Sequence, residues 1–205
     1  MSILNVLLRP DQLLIAVDTL AEDALTGAAS SGAKLLLIPQ HNLVLATRGS
    51  TQFFLRIYEL CLQASFRADF AMEQLVRELG LVIDKIWPAY ERAALEAGLS
   101  KSMLHSEVVL GGWSPEGKRF IATAYAKSDI ERPALVLSLA GGMASPGEPL
   151  QGRSDSFDPA EVLVAGRLQA AWLNGRVGRR VAGGRLLAAV LRPGQAVVQD
   201  LGGLP

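Results

Sequence analysis

The sequence predicts an α+β fold, a four-layer αββα sandwich, on three observations. Its segments come in blocks (hairpin, hairpin, two helices, strands, helix, hairpin) instead of the strand–helix alternation that builds a parallel sheet. The strand-like runs, residues 3–8 and 13–17 among them, are almost continuous in Leu, Val and Ile, which marks sheets covered on both faces. Half of the 205 residues are apolar, enough to fill the cores that such layering needs.

Taken in order, residues 3–8 and 13–19 form a first hairpin about the Arg9-Pro10-Asp11-Gln12 turn. Residues 22–33 are small and polar and read as a connection. A second hairpin pairs residues 34–38 with 43–47 across Pro39-Gln40-His41-Asn42. After Gly49 the period changes: Ser50 can cap a helix, and Phe53, Phe54, Ile57, Tyr58, Cys61 and Leu62 recur at helical spacing. Another helix follows Asp69 with Met72, Leu75, Val76, Leu79, Ile83 and Ile86; Pro88 should kink or divide it, and Gly98 ends it. Strands return over residues 107–111 and 119–126, joined through Ser114-Pro115-Glu116-Gly117, and over 134–140. Residues 141–156, rich in Gly, Pro and Ser, read as a loop without structure of its own. Asp158-Pro159 opens the last helix as N-cap and first-turn proline. Residues 185–191 and 196–201 form the last hairpin about Arg192-Pro193-Gly194-Gln195.

Composition excludes several classes of function. The 20 basic residues only balance 20 acidic ones, so the Lys and Arg surplus of a nucleic-acid binder or polybasic membrane module is missing. No apolar run approaches the ~18 residues of a membrane span. Residues 1–10 lack a basic segment followed by a secretory apolar core. A lone cysteine, Cys61, forms no internal disulfide and, with two histidines, makes no zinc cluster. The expectation is a cytoplasmic chain with no nucleic-acid or membrane partner, no cofactor and no structural metal.

Familiar catalytic signatures are missing as well: no G-x-S-x-G elbow, no phosphate-cradling glycine loop, no G-x-G-x-x-G and no H-E-x-x-H. Cys61 falls on an apolar helix stripe and reads as a small core residue. His41 lies in a turn and His105 before a strand, without a serine or cysteine partner, so both read as surface or capping groups. Arg176, Arg179 and Arg180 read as a solvated loop, and Gly141-Gly142 and Gly183-Gly184 as turns or close strand approaches.

One constellation remains. Ser2 becomes the first residue if Met1 is removed. Asp18 lies sixteen residues beyond it, ending one apolar run, and Lys34 another sixteen beyond, starting the next. The bland reading is a start-adjacent serine, a turn aspartate and a structural ion pair. The chemical reading is specific. A serine at a chain terminus can pass its proton to its own α-amine, whose pKa of about 8 makes it a usable base. A lysine ammonium nearby favours the neutral amine and stabilises the attacking oxygen, while an aspartate holds that lysine and offsets the cost of burying its charge. Backbone N–H groups where a strand turns into a helix stabilise an oxyanion, and Arg48-Gly49-Ser50 is such a place, with Gly49 the candidate.

On these residues the sequence resembles the proteasome β-subunit-like N-terminal nucleophile (Ntn) hydrolases, including their bacterial double-ring relatives. The intervals between Ser2, Asp18 and Lys34 carry the resemblance. So do the Ala16-Val17-Asp18-Thr19 phrase, the Lys34-led strand, the hairpin ending at Gly49 with its following helix, and Gly183-Gly184 before the last hairpin. The resemblance implies one domain over residues 1–205 and an αββα sandwich of the Ntn type. It implies Ser2 as nucleophile with Asp18, Lys34 and Gly49 in support, peptide or unfolded protein as substrate, and a homo-oligomeric ring. Three departures stand out. Serine replaces the family's usual threonine, and only Ser145, after Gly141-Gly142-Met143, stands in for its supporting serine. Asn174-Gly175-Arg176 carries no acid where an Asp-x-x-Ser pair belongs.

Three functions therefore compete. One is a peptidase acting through Ser2, and another a catalytically inactive ring or scaffold protein. The third is an unrelated small-molecule-binding α+β domain in which the spacing is accidental. The apolar helical region over residues 53–99 carries more large side chains than one sheet face needs, which favours self-association.

Overall fold

The computed structural model describes residues 2–205. Strands β1 (Leu4–Arg9) and β2 (Gln12–Asp18) form the first hairpin, paired from Leu4 opposite Val17 to Arg9 opposite Gln12. The stretch expected to be a plain connection holds a second, small hairpin of β3 (Leu20–Glu22) and β4 (Ala29–Ser31). Ala29, Ser30 and Ser31 are all exposed, so no apolar alternation announces the pairing. Strands β5 (Leu35–Ile38) and β6 (Leu43–Gly49) pair about a short 3-10 turn that Asn42 ends in the left-handed region.

Helix α1 (Thr51–Ser65) begins where the Ser50 hydroxyl accepts from the Phe53 N–H at 3.2 Å. Helix α2 (Met72–Glu96) runs on through Pro88 instead of dividing there. Ile83, Trp87 and Ala94 lie on both sides of that proline and are buried in one core. Tertiary packing of this kind holds a helix across a missing backbone donor. Strands β7 (Ser106–Ser114), β8 (Arg119–Lys127) and β9 (Leu135–Ser138) complete a sheet of order β5-β6-β7-β8-β9.

The 141–156 segment is more structured than its composition suggests. It contains β10 (Met143–Ser145), an edge strand antiparallel to β1 with Ser145 opposite Leu4, and a 3-10 turn over Glu148–Leu150. Three strand residues are too few for a periodic pattern to register. Helix α3 (Pro159–Val177) starts at Asp158, whose carboxylate accepts from the N–H groups of Ala160 and Glu161. Strands β11 (Gly184–Arg192) and β12 (Gln195–Leu204) then close a second sheet of order β10-β1-β2-β11-β12.

Three apolar clusters follow from the strand period of two. Leu4, Val6, Ile15 and Val17 of one sheet meet Val44, Ala46 and Val109 of the other. The alternate residues Leu43, Leu45, Val108 and Leu110 point the other way and pack against Phe53, Phe54 and Trp87 of α1 and α2. On the far side, Ile3, Leu14, Ala16 and Leu186 receive Val162, Ala170 and Leu173 of α3. Helix and sheet are mixed in blocks, as an α+β chain requires. No described helix is long and apolar enough to cross a membrane.

Candidate active site

Ser2 precedes β1, Asp18 ends β2 and Lys34 precedes β5, so strand ends from both sheets converge at one point. The Lys34 Nζ donates to Ser2 Oγ at 2.9 Å, to Asp18 Oδ1 at 3.0 Å and to the Leu20 carbonyl. Three acceptors match the three N–H groups of an ammonium. All three side chains are buried, Asp18 completely. Burial is the strongest influence on Lys34 and pulls its pKa below the usual 10.5; Asp18 opposes the shift and the Arg48 charge adds to it.

Asp18 is held on each oxygen. Its Oδ1 accepts from the Ile3 N–H at 2.9 Å, which fixes the backbone beside Ser2, and its Oδ2 accepts from the Gly183 N–H at 3.2 Å. The segment before Gly183 is in turn fastened by Asn174. The Asn174 Oδ1 accepts from Val181 and Ala182 N–H groups at 2.8 and 3.0 Å, and its Nδ2 donates to the Ala182 carbonyl at 3.0 Å. Asn174, where an acid is missing, is thus tied to the segment that supports Asp18. Lys34 is tied to the strand ending in Gly49, because its carbonyl accepts from the Thr47 N–H at 2.9 Å.

A second polar group lies on the face between the sheets. Arg48 Nη1 donates to Glu107 Oε2 at 3.2 Å and to the hydroxyl of Ser145. Arg48 Nε is buried without a partner among the described residues. Ser145 therefore bonds Arg48 and not Ser2, whose hydroxyl has Lys34 as its one hydrogen-bond partner among the described residues.

Gly49 ends β6 opposite Ser106, and among the described residues no hydrogen bond links it to the side chains of the trio. Its φ of 103° lies in the region that favours glycine, and a Cβ there would stand 2.1 Å from the His105 carbonyl oxygen. The expected removal of Met1 falls outside the described residues.

The remaining chemical residues have structural settings. Burial pushes the Cys61 thiol up to about 12, which leaves it protonated. His41 Nε2 lies 2.7 Å from the Ser65 carbonyl, and burial lowers the pKa of His105. Arg179 pairs with Glu22 at 2.5 Å, which ties the basic loop to the β3–β4 hairpin. No group of three or more metal-ligating side chains occurs among the described residues.

Sequence reasoning missed the Glu107 partner of Arg48, the Leu20 carbonyl and the support given by Asn174. Arg48 and Glu107 meet only through the β6–β7 register, and a backbone acceptor such as Leu20 leaves no trace in residue type.

No family model matches the chain, and no curated protein does. Solved structures do. Anbu (ancestral beta-subunit) from Yersinia bercovieri superposes with a TM-score of 0.66 at 14% identity, covering 98% of this chain and 87% of that one. A helical assembly of the Anbu complex from Pseudomonas aeruginosa gives 0.66 at 14%, covering 98% and 86%. A mutant of Anbu from Hyphomicrobium sp. strain MC1 gives 0.64 at 11%, covering 98% and 87%. At these identities the likeness establishes a shared fold and carries no chemistry with it. The resemblance to the proteasome β-subunit-like Ntn hydrolases is corrected accordingly. With no family match the assignment to that family does not stand, and the fold the chain shares is that of Anbu. The resemblance rested on a few spaced residues, and so few positions do not separate one lineage from another.

Proposed function

We propose that the chain is an amide-bond hydrolase on an Anbu-like fold, acting through Ser2 in a form that begins at Ser2. The observation that supports this most is the Lys34 ammonium, shared at 2.9 and 3.0 Å between a serine hydroxyl and a buried carboxylate. In this reading Ser2 Oγ attacks the amide carbon while the α-amine of Ser2 takes the hydroxyl proton. Lys34 donates to the oxygen as it gains charge and, as a like charge, disfavours protonation of the amine beforehand. Asp18 holds both Lys34 and the Ile3 N–H. The α-ammonium then gives its proton to the leaving amine, and water, deprotonated by the same amine, releases the acyl group. The Gly49 N–H is the candidate oxyanion donor. Peptides or unfolded segments are the substrates.

The same reading takes the three clusters as one domain in four αββα layers, and the chain as one that self-associates. Leu55, Phe66 and Leu81 remain exposed on the helical side, which supports association. A closed ring is the expected form; the Pseudomonas aeruginosa protein is described as a helical assembly, and ring and helix differ only in whether the repeated contact closes.

A scaffold without catalysis is the second reading. It is favoured by Ser145, which is engaged by Arg48, and by the lack of an acid at Asn174. N-terminal mass analysis of protein from its own host, run beside hydrolysis of a mixed peptide-amide set, separates the two. The hydrolase reading expects a chain starting at Ser2 whose activity disappears in Ser2→Ala. A host chain that keeps Met1, or activity that survives Ser2→Ala, rejects it.

A further inference from the structure

A cavity of about 230 Å³ opens on the α3 side of the β10-β1-β2 edge. It lies on the opposite face of the sheet from the cleft between the sheets: its wall residues Leu7 and Leu14 belong to the α3 cluster, whereas Leu4 and Val6 face the other sheet. Residues 147–156, the segment with the least sequence pattern, close it.

Its lining is built in two halves. At the inner end, buried Asn5 exchanges amide hydrogen bonds at 2.6 and 2.8 Å with Gln169, which lies outside the lining and also donates to the Pro146 carbonyl at 2.7 Å. Gln169 thereby uses both of its N–H groups. Asn5, which lines the cavity, keeps one N–H and one carbonyl lone pair uncommitted among the described residues. The walls are apolar: Leu7, Leu14, Leu150 and Val162. At the rim, Arg153 and Glu161 neutralise each other at 2.9 Å. Asp155 has no cation within ion-pair distance among the described residues. A Cβ on Gly142 would lie 2.6 Å from Asp155 Oδ2, so the bare backbone there makes room for the carboxylate. The mouth therefore carries one unbalanced negative charge beside an apolar pocket with a polar inner end.

We propose that this cavity binds a small amine with an apolar body and a hydroxyl or carbonyl at its far end. The ammonium meets Asp155, the body lies against Leu7, Leu14 and Val162, and the far polar atom bonds Asn5. Pockets that bind small molecules combine apolar walls with a few placed polar groups in this way. The site is independent of any chemistry at Ser2.

Tyramine titrated into the full chain, followed by backbone amide NMR, tests the proposal. Saturable shifts are expected at Met143, Ala144, Ser154 and Val162. 4-Ethylphenol, which lacks the ammonium, should bind roughly tenfold more weakly, the size of one charge-assisted hydrogen bond. Asp155→Asn, an exposed change, should bring tyramine down to the 4-ethylphenol level, and Ala165→Leu, which fills the cavity, should remove binding of both. Nα-acetyl-lysine methylamide stands for a protein side chain as the source of the amine; weaker binding than tyramine assigns the site to a free small amine, and tighter binding overturns that assignment. No saturable shift, equal affinity for tyramine and 4-ethylphenol, or undiminished binding in Asp155→Asn overturns the proposal.

Discussion

The ammonium of Lys34 and the hydroxyl of Ser2 meet at 2.9 Å although they stand before strands of different sheets, β5 and β1. Their contact therefore depends on how the two sheets dock, and the Leu4, Val17, Val44 and Ala46 packing beneath it sets that docking. Asp18 makes the contact specific, since one carboxylate oxygen receives both Lys34 and the backbone N–H next to Ser2.

Lys34→Met leaves Asp18 fully buried without its cation. Breaking a buried pair in this way costs about 3–5 kcal/mol, and adding Asp18→Asn should return part of that cost. Urea unfolding of both single variants and the double variant measures the coupling. Strict additivity would contradict a direct interaction.

The pH dependence follows from the direction of the Lys34 shift. Its folded pKa lies below 10.5, so the folded chain loses this proton at a lower pH than the unfolded chain. Between those two values the unfolded state binds more protons, and stability rises with pH through that window. In the proposed reaction Ser2 is acylated with help from the Lys34 ammonium, so the rate should fall through the same lowered pKa. Arg48→Gln removes a charge that depresses Lys34 and should move this alkaline limb to higher pH. A limb that stays in place, or moves down, would show that Arg48 does not act on Lys34.

Asn174→Ala removes three hydrogen bonds to residues 181 and 182. Leaving such groups unpaired costs about 1–3 kcal/mol. The Gly183 amide should exchange faster with solvent, and Ser2 acylation should slow, because the Gly183 N–H holds Asp18 Oδ2. Fast Gly183 exchange with an unchanged acylation rate would show that Asp18 is held well enough by Ile3 and Lys34 alone.

Gly49→Ala forces a side chain into a φ of 103° and against the His105 carbonyl. Strain of this kind costs about 1–3 kcal/mol, to which the displacement of β7 adds. Thermal unfolding should show a clear loss of stability; an unchanged midpoint would mean that the β6–α1 junction relaxes freely.

How much of this was legible in the sequence depends on the range of each interaction. Asp18 and Lys34 were visible because each interrupts or borders an apolar run, and a charge in that position needs a partner. The hairpins and α1 were visible because period and turn chemistry are local. Pro88 does not divide its helix, since the packing of Trp87 and Ala94 on one core outweighs a single lost backbone bond. β10 and the β3–β4 hairpin were too short and too exposed to carry a pattern. Asn174, Glu107 and the cavity under residues 147–156 exist only through pairings made far along the chain. The family resemblance failed for a related reason, because spacing reports where strands end and not from which lineage they descend.

In the proposed mechanism Ser2 is a nucleophile prepared by Lys34 and Asp18. Intact-mass analysis after exposure to a serine-reactive β-lactone tests it most directly, on protein beginning at Ser2. One acyl adduct is expected on Ser2, absent from Ser2→Ala and strongly reduced in Lys34→Met and in a chain extended by one N-terminal residue. A folded chain that starts at Ser2 and takes no adduct, or takes it at another residue, would rule out Ser2 as the nucleophile.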